Sequence, residues 1–384
     1  MLTGGAGPVM RVGHEAPPAE INGYLQGIDL RWLELGQAQA AEPPVGDDAT
    51  AATGLAIRHA LDCVFEGLRA NEHAIGFSVR GAVRSFLRDC AAFRSLFTVP
   101  ARDVFIGFDM DGRASPIATG ANASLYVIDC MARTGNRPSL HRSIGCRLQG
   151  TFSDTFLVRF ETTEVATGIA VQGGAAALTG TGRQFGHVDL HLDTPVLDQC
   201  SGAGISLTGL SEHALIDISA PYVALAPGGR VALEVAQCGG LVSVTGGQFI
   251  GTLAPAATGL SLADVAGFAA AGLKLAGFGR PINALGASGL DLVVGVNTAG
   301  ATSVGAPAIR LAGCRDSYCR PRIAGPAGVH TVGVAVDDSH SITVETAGID
   351  RRTVATPVRV AGSPKAAPPG ASAVTVPARP AGRP

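Results

Sequence analysis

Residues 231–245 read VALEVAQCGGLVSVT, and this stretch decides the fold. It holds two alternating segments, LEV from residue 233 and VSV from residue 242, on either side of a Gly-Gly pair. Successive side chains of a β-strand point to opposite faces, so the two apolar residues of each segment face one side, and Glu234 or Ser243 faces the other. The stretch therefore predicts two short strands joined by a tight turn, each with one buried face.

The first segment belongs to a repeat. A four-residue pattern recurs at offsets of 22–36 residues: a small residue, an apolar residue, any residue and a second apolar residue. It occurs as GIAV at 168, GISL at 204, ALEV at 232, GLSL at 259, PINA at 281, AIRL at 308, GVAV at 333 and PVRV at 357. The residue between the two apolar positions is small or polar every time, and a second alternating segment follows about ten residues later in most units. One such coil has no core of its own and buries its apolar face only by stacking on its neighbours. The abundant Gly and the weak helical periodicity argue against an α-solenoid. We therefore predict an all-β fold, a right-handed parallel β-helix over residues 166–362.

Composition excludes several classes of protein. Gly is frequent, at 52 residues, whereas charged residues make up 16% and aromatic residues 5%. The net charge of −2 gives no electrostatic reason to expect a nucleic-acid partner. We also expect no membrane insertion, because no stretch of about 20 apolar residues is free of turn formers. The first residues lack a basic segment followed by an apolar one, so we expect no signal peptide.

Eight cysteines are scattered along the chain without CxxC spacing or Cys/His clusters. We predict free, buried thiols, and we expect neither a metal site nor a cofactor.

The rest of the chain divides by pattern. Residues 1–48 are rich in Gly and Pro and are interpreted as an arm. In residues 49–100 apolar side chains recur at helical spacing, for example Ile57 and Leu61, which predicts a small helical region. Residues 101–165 alternate like strands and are expected to cap the solenoid. The tail, 363–384, is Pro/Ala-rich and is predicted to be disordered.

The segment HVDLHLD at 187–193 places three proton-transfer groups, Asp189, His191 and Asp193, on one exposed strand face. They are the candidate catalytic residues. Asp189 and Asp193 would lie about 13 Å apart at about 3.3 Å per residue, whereas a glycosidase pair needs at most about 9.5 Å. Either acid would therefore need a partner from a neighbouring coil, for which Asp198 or Asp217 could serve. A solvated polar strand and glycan hydrogen bonding stay alternatives.

Outward residues of the second strands are candidates for glycan binding, because a polar ladder along the rod would suit a repeating polysaccharide. The candidates are Asp217, Ser243, Lys274 and Asp291, joined by Arg320 and Arg322 from a charged interruption of the apolar pattern that could hold a glycan carboxylate.

FIGFDMDGR at 105–113 looks like the DxDG motif of haloacid-dehalogenase-type phosphatases, whose first Asp is a nucleophile. Arg113 departs from that motif, and no alternation of strands and helices surrounds it. A polar turn after a strand is the preferred interpretation.

The repeat pattern as a whole resembles the pectate-lyase-like parallel β-helix superfamily, and the arrangement of the chain is similar to phage tailspikes and gene-transfer-agent head spikes. This resemblance implies a particle spike or fibre that binds cell-surface (capsular) polysaccharide for host attachment. It also implies a homotrimer on the surface of a virion-like particle, assembled in the cytoplasm and docked through its N-terminal region on capsid or tail proteins. The alternatives are a polysaccharide depolymerase, either a hydrolase or a lyase, and a purely structural fibre component.

Overall fold

The computed structural model describes residues 8–13, 23–36, 53–95, 104–112, 122–135, 142–173, 188–301, 305–362 and 375–376. These residues form β-strands joined by short corners, and none of them is in an α-helix. Nor does any helix of the described part have the length and apolar character needed to cross a membrane. The prediction of an all-β fold is confirmed.

The first strands in chain order are β1 (Met10–Gly13), β2 (Leu25–Gln26), β3 (Asp29–Arg31), β4 (Glu34–Gly36), β5 (Thr53–Arg58), β6 (Ala60–Leu61), β7 (Val64–Glu66), β8 (Arg69–Asn71), β9 (Ile75–Arg80), β10 (Val83–Arg88) and β11 (Ala91–Arg94). The next are β12 (Val104–Gly112), β13 (Asn122–Ile128), β14 (Met131–Thr134), β15 (Arg142–Gly150), β16 (Phe152–Val158), β17 (Glu161–Thr163), β18 (Thr167–Gln172), β19 (Val188–Asp193), β20 (Val196–Cys200), β21 (Ala203–Leu210), β22 (Leu215–Ser219) and β23 (Tyr222–Leu225). The last are β24 (Val231–Thr245), β25 (Gln248–Ile250), β26 (Thr258–Ala276), β27 (Arg280–Leu285), β28 (Leu290–Asn297), β29 (Ile309–Ala312), β30 (Arg315–Ala324), β31 (Val332–Asp337), β32 (His340–Val344) and β33 (Thr356–Ala361).

The strands stack as three parallel sheets around one axis. Sheet A contains β1, β5, β9, β12, β15, β18, β21, the first part of β24 and of β26, β27, β29, β31 and β33. Sheet B contains β2, β3, β6, β7, β10, β13, β16, β19, β22, the middle of β24 to β26, the start of β28 and of β30, and β32. Sheet C contains β4, β8, β11, β14, β17, β20, β23, β25 and the ends of β26, β28 and β30. The molecule is a parallel β-helix whose coils each have three sides.

The eight repeat segments are successive strands of sheet A. Their first apolar residues are in register from coil to coil, as Ile169, Ile205, Leu233, Leu260, Ile282, Ile309, Val334 and Val358. The prediction of a parallel β-helix is thus confirmed, and the predicted repeat segments are successive strands of one sheet. The stack extends beyond the predicted bounds of 166–362, because β1, β5, β9 and β12 pair in the same way. The coil has three strands where the pattern indicated two, because the strands of sheet C are only three to five residues long in most coils.

The predicted helical region at 49–100 is wrong. Its described residues form β5 to β11, and Ile57 and Leu61 are buried in two different strands, β5 and β6. Two corner residues have left-handed backbone and would interrupt any helix. His59, at φ 50°, separates β5 from β6, and Asp62, at φ 55°, follows β6. The helical spacing arises because inward residues of very short strands are brought closer in sequence by the corners between them.

The β-helix also includes the segments on either side of that region. Residues 8–13 and 23–36 of the expected arm form β1 to β4, which pair with the next coil. The described residues of 101–165, expected to cap the rod, lie inside the stack, with β12 paired to β9 and β15 paired to β18. Most of the predicted disordered tail lies outside the described residues, but Thr375 forms a parallel bridge with Thr343.

One long hydrophobic core runs along the axis from Val12 to Val354 within the described residues, and a small separate cluster contains Tyr24, Leu61 and Val83. All eight cysteines contribute to the long core as free buried thiols, which confirms that prediction. The corner between sheets B and C is built the same way in successive coils. Asp129, Arg159 and Thr194 each have positive φ there, and each donates its backbone N–H to the next coil, for example Arg159 to the Asp193 carbonyl at 2.8 Å. The corners therefore satisfy their backbone hydrogen bonds along the axis as the strands do.

Candidate functional site

The outer face of sheet B carries one column of side chains in register over ten coils. Each member lies between two inward residues of its strand, and each pairs with the next member along the axis. We call this column the sheet B ladder, and its members are Phe86, Tyr126, Phe156, His191, Asp217, Ser243, Ala269, Asp291, Tyr318 and Thr343.

The first four members are rings stacked on one another. The centroids of Phe86 and Tyr126 are 4.8 Å apart, those of Tyr126 and Phe156 are 5.0 Å apart, and those of Phe156 and His191 are 4.6 Å apart. Neighbouring planes differ by 4–13°, which is parallel stacking. All four side chains are half-buried, so the stack presents ring surface to the outside of the rod. The guanidinium of Arg88 lies 5.9 Å from the centroid of the first ring.

His191 is the junction between the aromatic and the polar part of the ladder. Its Nε2 lies 3.4 Å from Asp189 Oδ1 on the same strand, and its Nδ1 lies 3.5 Å from Asp217 Oδ2 on the next coil. Each ring nitrogen therefore faces its own carboxylate. Asp217, an acid from the neighbouring coil, therefore contacts His191.

Beyond His191 the ladder offers hydrogen-bonding groups. The Ser243 hydroxyl donates to Asp217 Oδ1. On the same strand as His191, Asp193 accepts hydrogen bonds from Ser219 Oγ at 2.7 Å and from Thr194 Oγ1 at 3.0 Å. These hydroxyl donors lower the pKa of the Asp193 carboxyl below its ordinary value, with the Ser219 bond as the larger cause.

The structure divides the predicted site residues between faces. Asp217, Ser243 and Asp291 are members of the sheet B ladder, with Ala269 between the last two. Lys274 is not in this ladder. It lies in sheet C, where it pairs with Gln248 of β25, which in turn pairs with Tyr222 of β23. Of the predicted column of outward residues, which also included Thr343, Lys274 alone lies on another face.

The two arginines are also separated from each other. Arg320 lies at the edge of sheet B, where its Nε is 3.4 Å from Glu345 Oε2, and the same carboxylate accepts a hydrogen bond from Tyr318. Arg322 is exposed on sheet C, two coils from Lys274, with Gly295 between them. Neither Lys274 nor Arg322 has an ion-pair partner within the part of the chain that the structure describes.

The three ladder rings Phe86, Tyr126 and Phe156 were not predicted from the sequence. Their signal was present as an aromatic residue at the outward position of an otherwise alternating strand, as in LYV at 125–127 and FLV at 156–158. It was hidden because these strands precede the regular repeat. Low aromatic content overall is therefore compatible with an aromatic surface, since the rings are concentrated in one column.

The DMDG motif has a structural role. Asp109 and Asp111 lie within β12 rather than in a turn, and their carboxylates are nearly buried. Asp109 accepts a hydrogen bond from Arg147 Nε at 2.8 Å, and Asp111 Oδ2 lies 3.5 Å from Arg80 Nε. Each acid is neutralised by an arginine from a neighbouring coil of sheet A. No three His, Cys, Asp or Glu side chains of the described residues are grouped as a metal site.

The fold is a parallel β-helix of the kind found in phage tailspikes. A solved structure of a mutant tailspike protein of E. coli bacteriophage HK620, in complex with pentasaccharide, is similar at a TM-score of 0.61 and 11% identity, over 85% of this chain and 58% of that one. A second structure of that tailspike with pentasaccharide gives a TM-score of 0.57 at 11% identity, over 82% of this chain and 56% of the other. The chain thus spans little more than half of the tailspike's length.

At 11% identity this likeness establishes the fold alone. No protein-family profile matches the sequence, and a comparison with curated proteins finds no match either.

Proposed function

We propose that this protein is a particle spike that binds a cell-surface polysaccharide along the sheet B ladder. The observation that carries the proposal is the continuity of that ladder, from three stacked aromatic rings through His191 to Asp217 and Ser243. Sugars have apolar C–H faces and polar hydroxyl rims. A half-buried ring offers an apolar surface, and carboxylate and hydroxyl oxygens accept or donate hydrogen bonds.

The regular spacing of the ladder fits a repeating ligand. Parallel strands lie about 4.8 Å apart, so each coil adds one binding group at a fixed interval along the axis. A polymer lying along the rod can touch several groups at once, and several weak contacts on one chain raise the overall affinity.

The similar tailspike of phage HK620 supports the same proposal, since that protein is solved in complex with pentasaccharide. By analogy we propose that this chain is displayed on the surface of a virion-like particle, attaches it to a host cell, forms a homotrimer and docks on particle proteins through its N-terminal region.

The test is retention of the protein on surface polysaccharides from a panel of bacteria, measured by affinity electrophoresis. We expect Tyr126→Ala to weaken retention about tenfold, which corresponds to about 1.4 kcal/mol. Tyr126→Phe keeps the ring and should bind as the wild type does. The matched control is Tyr222→Ala, which removes an exposed Tyr from sheet C and should leave retention unchanged. Retention that is equal in Tyr126→Ala and wild type would contradict the proposal, and no retention at all would favour the structural fibre.

A depolymerase is the second candidate function, and the placement of His191 between two carboxylates favours it. In this version Asp189, His191 and Asp217 transfer protons during glycosidic cleavage, and Asp193 keeps a charge nearby. The retained polymer should then release new reducing ends over time, and Asp189→Asn, which leaves the ladder itself intact, should abolish the release while retention persists. A constant number of chain ends would leave the binding spike as the function.

A further inference from the structure

Between β13 and the start of β28, the side-chain charges on the outer face of sheet B are of one sign. From β13 to the start of β28 its outward and edge positions carry the carboxylates Asp154, Asp189, Asp193, Asp217 and Asp291. The same strand segments contain no Lys or Arg. His191, the one group there that can become cationic, already faces two of these acids.

Two arginines at the borders of this face are paired with acids of their own corners. Arg84 pairs with Asp62 at 2.7 Å, and Arg159 pairs with Asp129 at 2.6 Å, each through two hydrogen bonds. Arg88 lies beyond the first ring of the ladder, and Arg315 lies beyond Asp291 at the opposite end. The strands in the middle of the face, which carry Tyr126, Phe156 and His191, therefore hold carboxylates without a Lys or Arg of their own.

Carboxylates also limit which ligand groups can bind by hydrogen bonds. An ionised Asp only accepts, so it pairs with a sugar hydroxyl, amide N–H or amine and cannot pair with another carboxylate or a sulfate. An anionic group placed over Asp193 or Asp217 would meet like charge with no donor to offer. Lys274 and Arg322, two exposed cations that form no ion pair within the described residues, lie on sheet C instead.

We propose that the sheet B ladder selects polysaccharides without carboxylate or sulfate groups, with sugars stacked on the rings and hydroxyl or amide donors on the Asp column. This selectivity rests on the proposed function. It narrows the ligand from capsular polysaccharide in general to non-anionic polymers.

The test compares matched polymers. Bacterial surface polysaccharides that contain uronic acids are prepared in native form and in carboxyl-reduced form, in which each uronate has become a neutral hexose, and are run beside neutral polysaccharides. We expect wild-type protein to retain neutral or carboxyl-reduced polymers at least about tenfold better than any native uronate polymer. We also expect retention to change by less than about twofold between 50 and 500 mM NaCl, because no ion pair is formed.

Failure of the inference and failure of the proposed function give different results. If the best retained polymer is a native uronate, its reduced form is not retained, and Tyr126→Ala removes the binding, the function stands and the selectivity is wrong. If a uronate polymer is retained through Lys274 and Arg322, so that Lys274→Gln and Arg322→Gln abolish binding and Tyr126→Ala does not, both are wrong. No retention of any polymer likewise overturns both.

Discussion

Asp193 shows how the outer face fixes the charge of a single residue. Its carboxylate accepts from Ser219 on the next coil and from Thr194 at the corner, and both bonds favour the ionised form. Since its pKa in the folded protein lies below the ordinary value, Asp193 stays charged as pH falls until that lowered pKa is reached. The stabilising effect of these bonds is present above the unfolded pKa and is lost as pH falls through the folded one.

We predict that Ser219→Ala raises the pKa of Asp193 toward its ordinary value, because the larger of the two hydroxyl bonds is removed. The pKa can be followed by NMR of the side-chain carboxyl carbon during an acid titration. Asp129, held by the bidentate Arg159, is the internal control and should titrate as in the wild type. An unchanged Asp193 titration would show that Ser219 does not hold its charge.

Burial in the core also controls the ionisation of the cysteine thiols. Burial raises the pKa of Cys200 and Cys319 to about 12, so very little thiolate is present near pH 8. All eight cysteines are buried in the described structure. We predict that iodoacetamide at pH 8 modifies none of them in the native protein within an hour and all eight in denaturant, as counted by intact mass. A thiol that reacts quickly in the native state would mean that its coil opens.

At the scale of the strand, β12 of sheet A requires a small residue at Gly107. Gly107 precedes the inward Phe108, and a Cβ at this position would lie 2.3 Å from Ala132 Cβ and 2.6 Å from the Gly145 carbonyl oxygen. The coil closes there, since sheet A meets sheet C without space for a methyl group. The same approach to the carbonyl oxygen of the next coil, at 2.6 Å, occurs at Gly168 and Gly204, whereas the repeat segments that begin with Ala232 or Pro281 accommodate a Cβ at this place.

Gly107→Ala should destabilise the protein by about 1–3 kcal/mol, because the methyl group overpacks a rigid closure formed by backbone and Cβ atoms. Gly36→Ala is the matched control, since a Cβ there meets nothing within 4 Å. Urea unfolding followed by circular dichroism compares the two. Equal midpoints for both variants would contradict the tight closure at Gly107.

How much could be predicted from the sequence depends on the length and regularity of the strands. Sheet A was predictable in register, because a pattern such as GISL at 204 repeats with a small residue and two inward apolar residues. Sheet C was not, since strands such as β25 have three residues and too few positions to show alternation. The misplaced Lys274 follows from this, because it was counted as the sheet B strand of its coil, and that place belongs to Ala269.

The candidate site was partly predictable for a similar reason. Asp189, His191 and Asp217 were recognisable as outward polar residues of regular strands. Their proximity across coils depends on the number of residues between β19 and β22, and a local pattern does not report which residues pair. Phe86, Tyr126 and Phe156 lie 30 or more residues apart in sequence, and their rings come into contact only because the coils stack on one another.

At the scale of the whole molecule, each coil contacts only its neighbours along the axis. Stability of such a solenoid is a sum of coil terms and interfaces between neighbours, so inner coils have two supporting interfaces and end coils have one. We predict that amide hydrogen exchange is slowest in β12 to β24 and fastest in β1 to β4 and β33, as measured by mass spectrometry of peptides. Uniform exchange from end to end would instead show that the rod opens as one cooperative unit.

The central claim is that the sheet B ladder binds the polysaccharide, and the most direct test is a crystal structure of the protein with an oligosaccharide cut from a retained polymer. We expect sugar rings over Tyr126, Phe156 and His191, with hydroxyl groups donating to Asp217 or Asp193. Sugar bound on sheet C around Tyr222 and Lys274, with the sheet B ladder free, would contradict the claim.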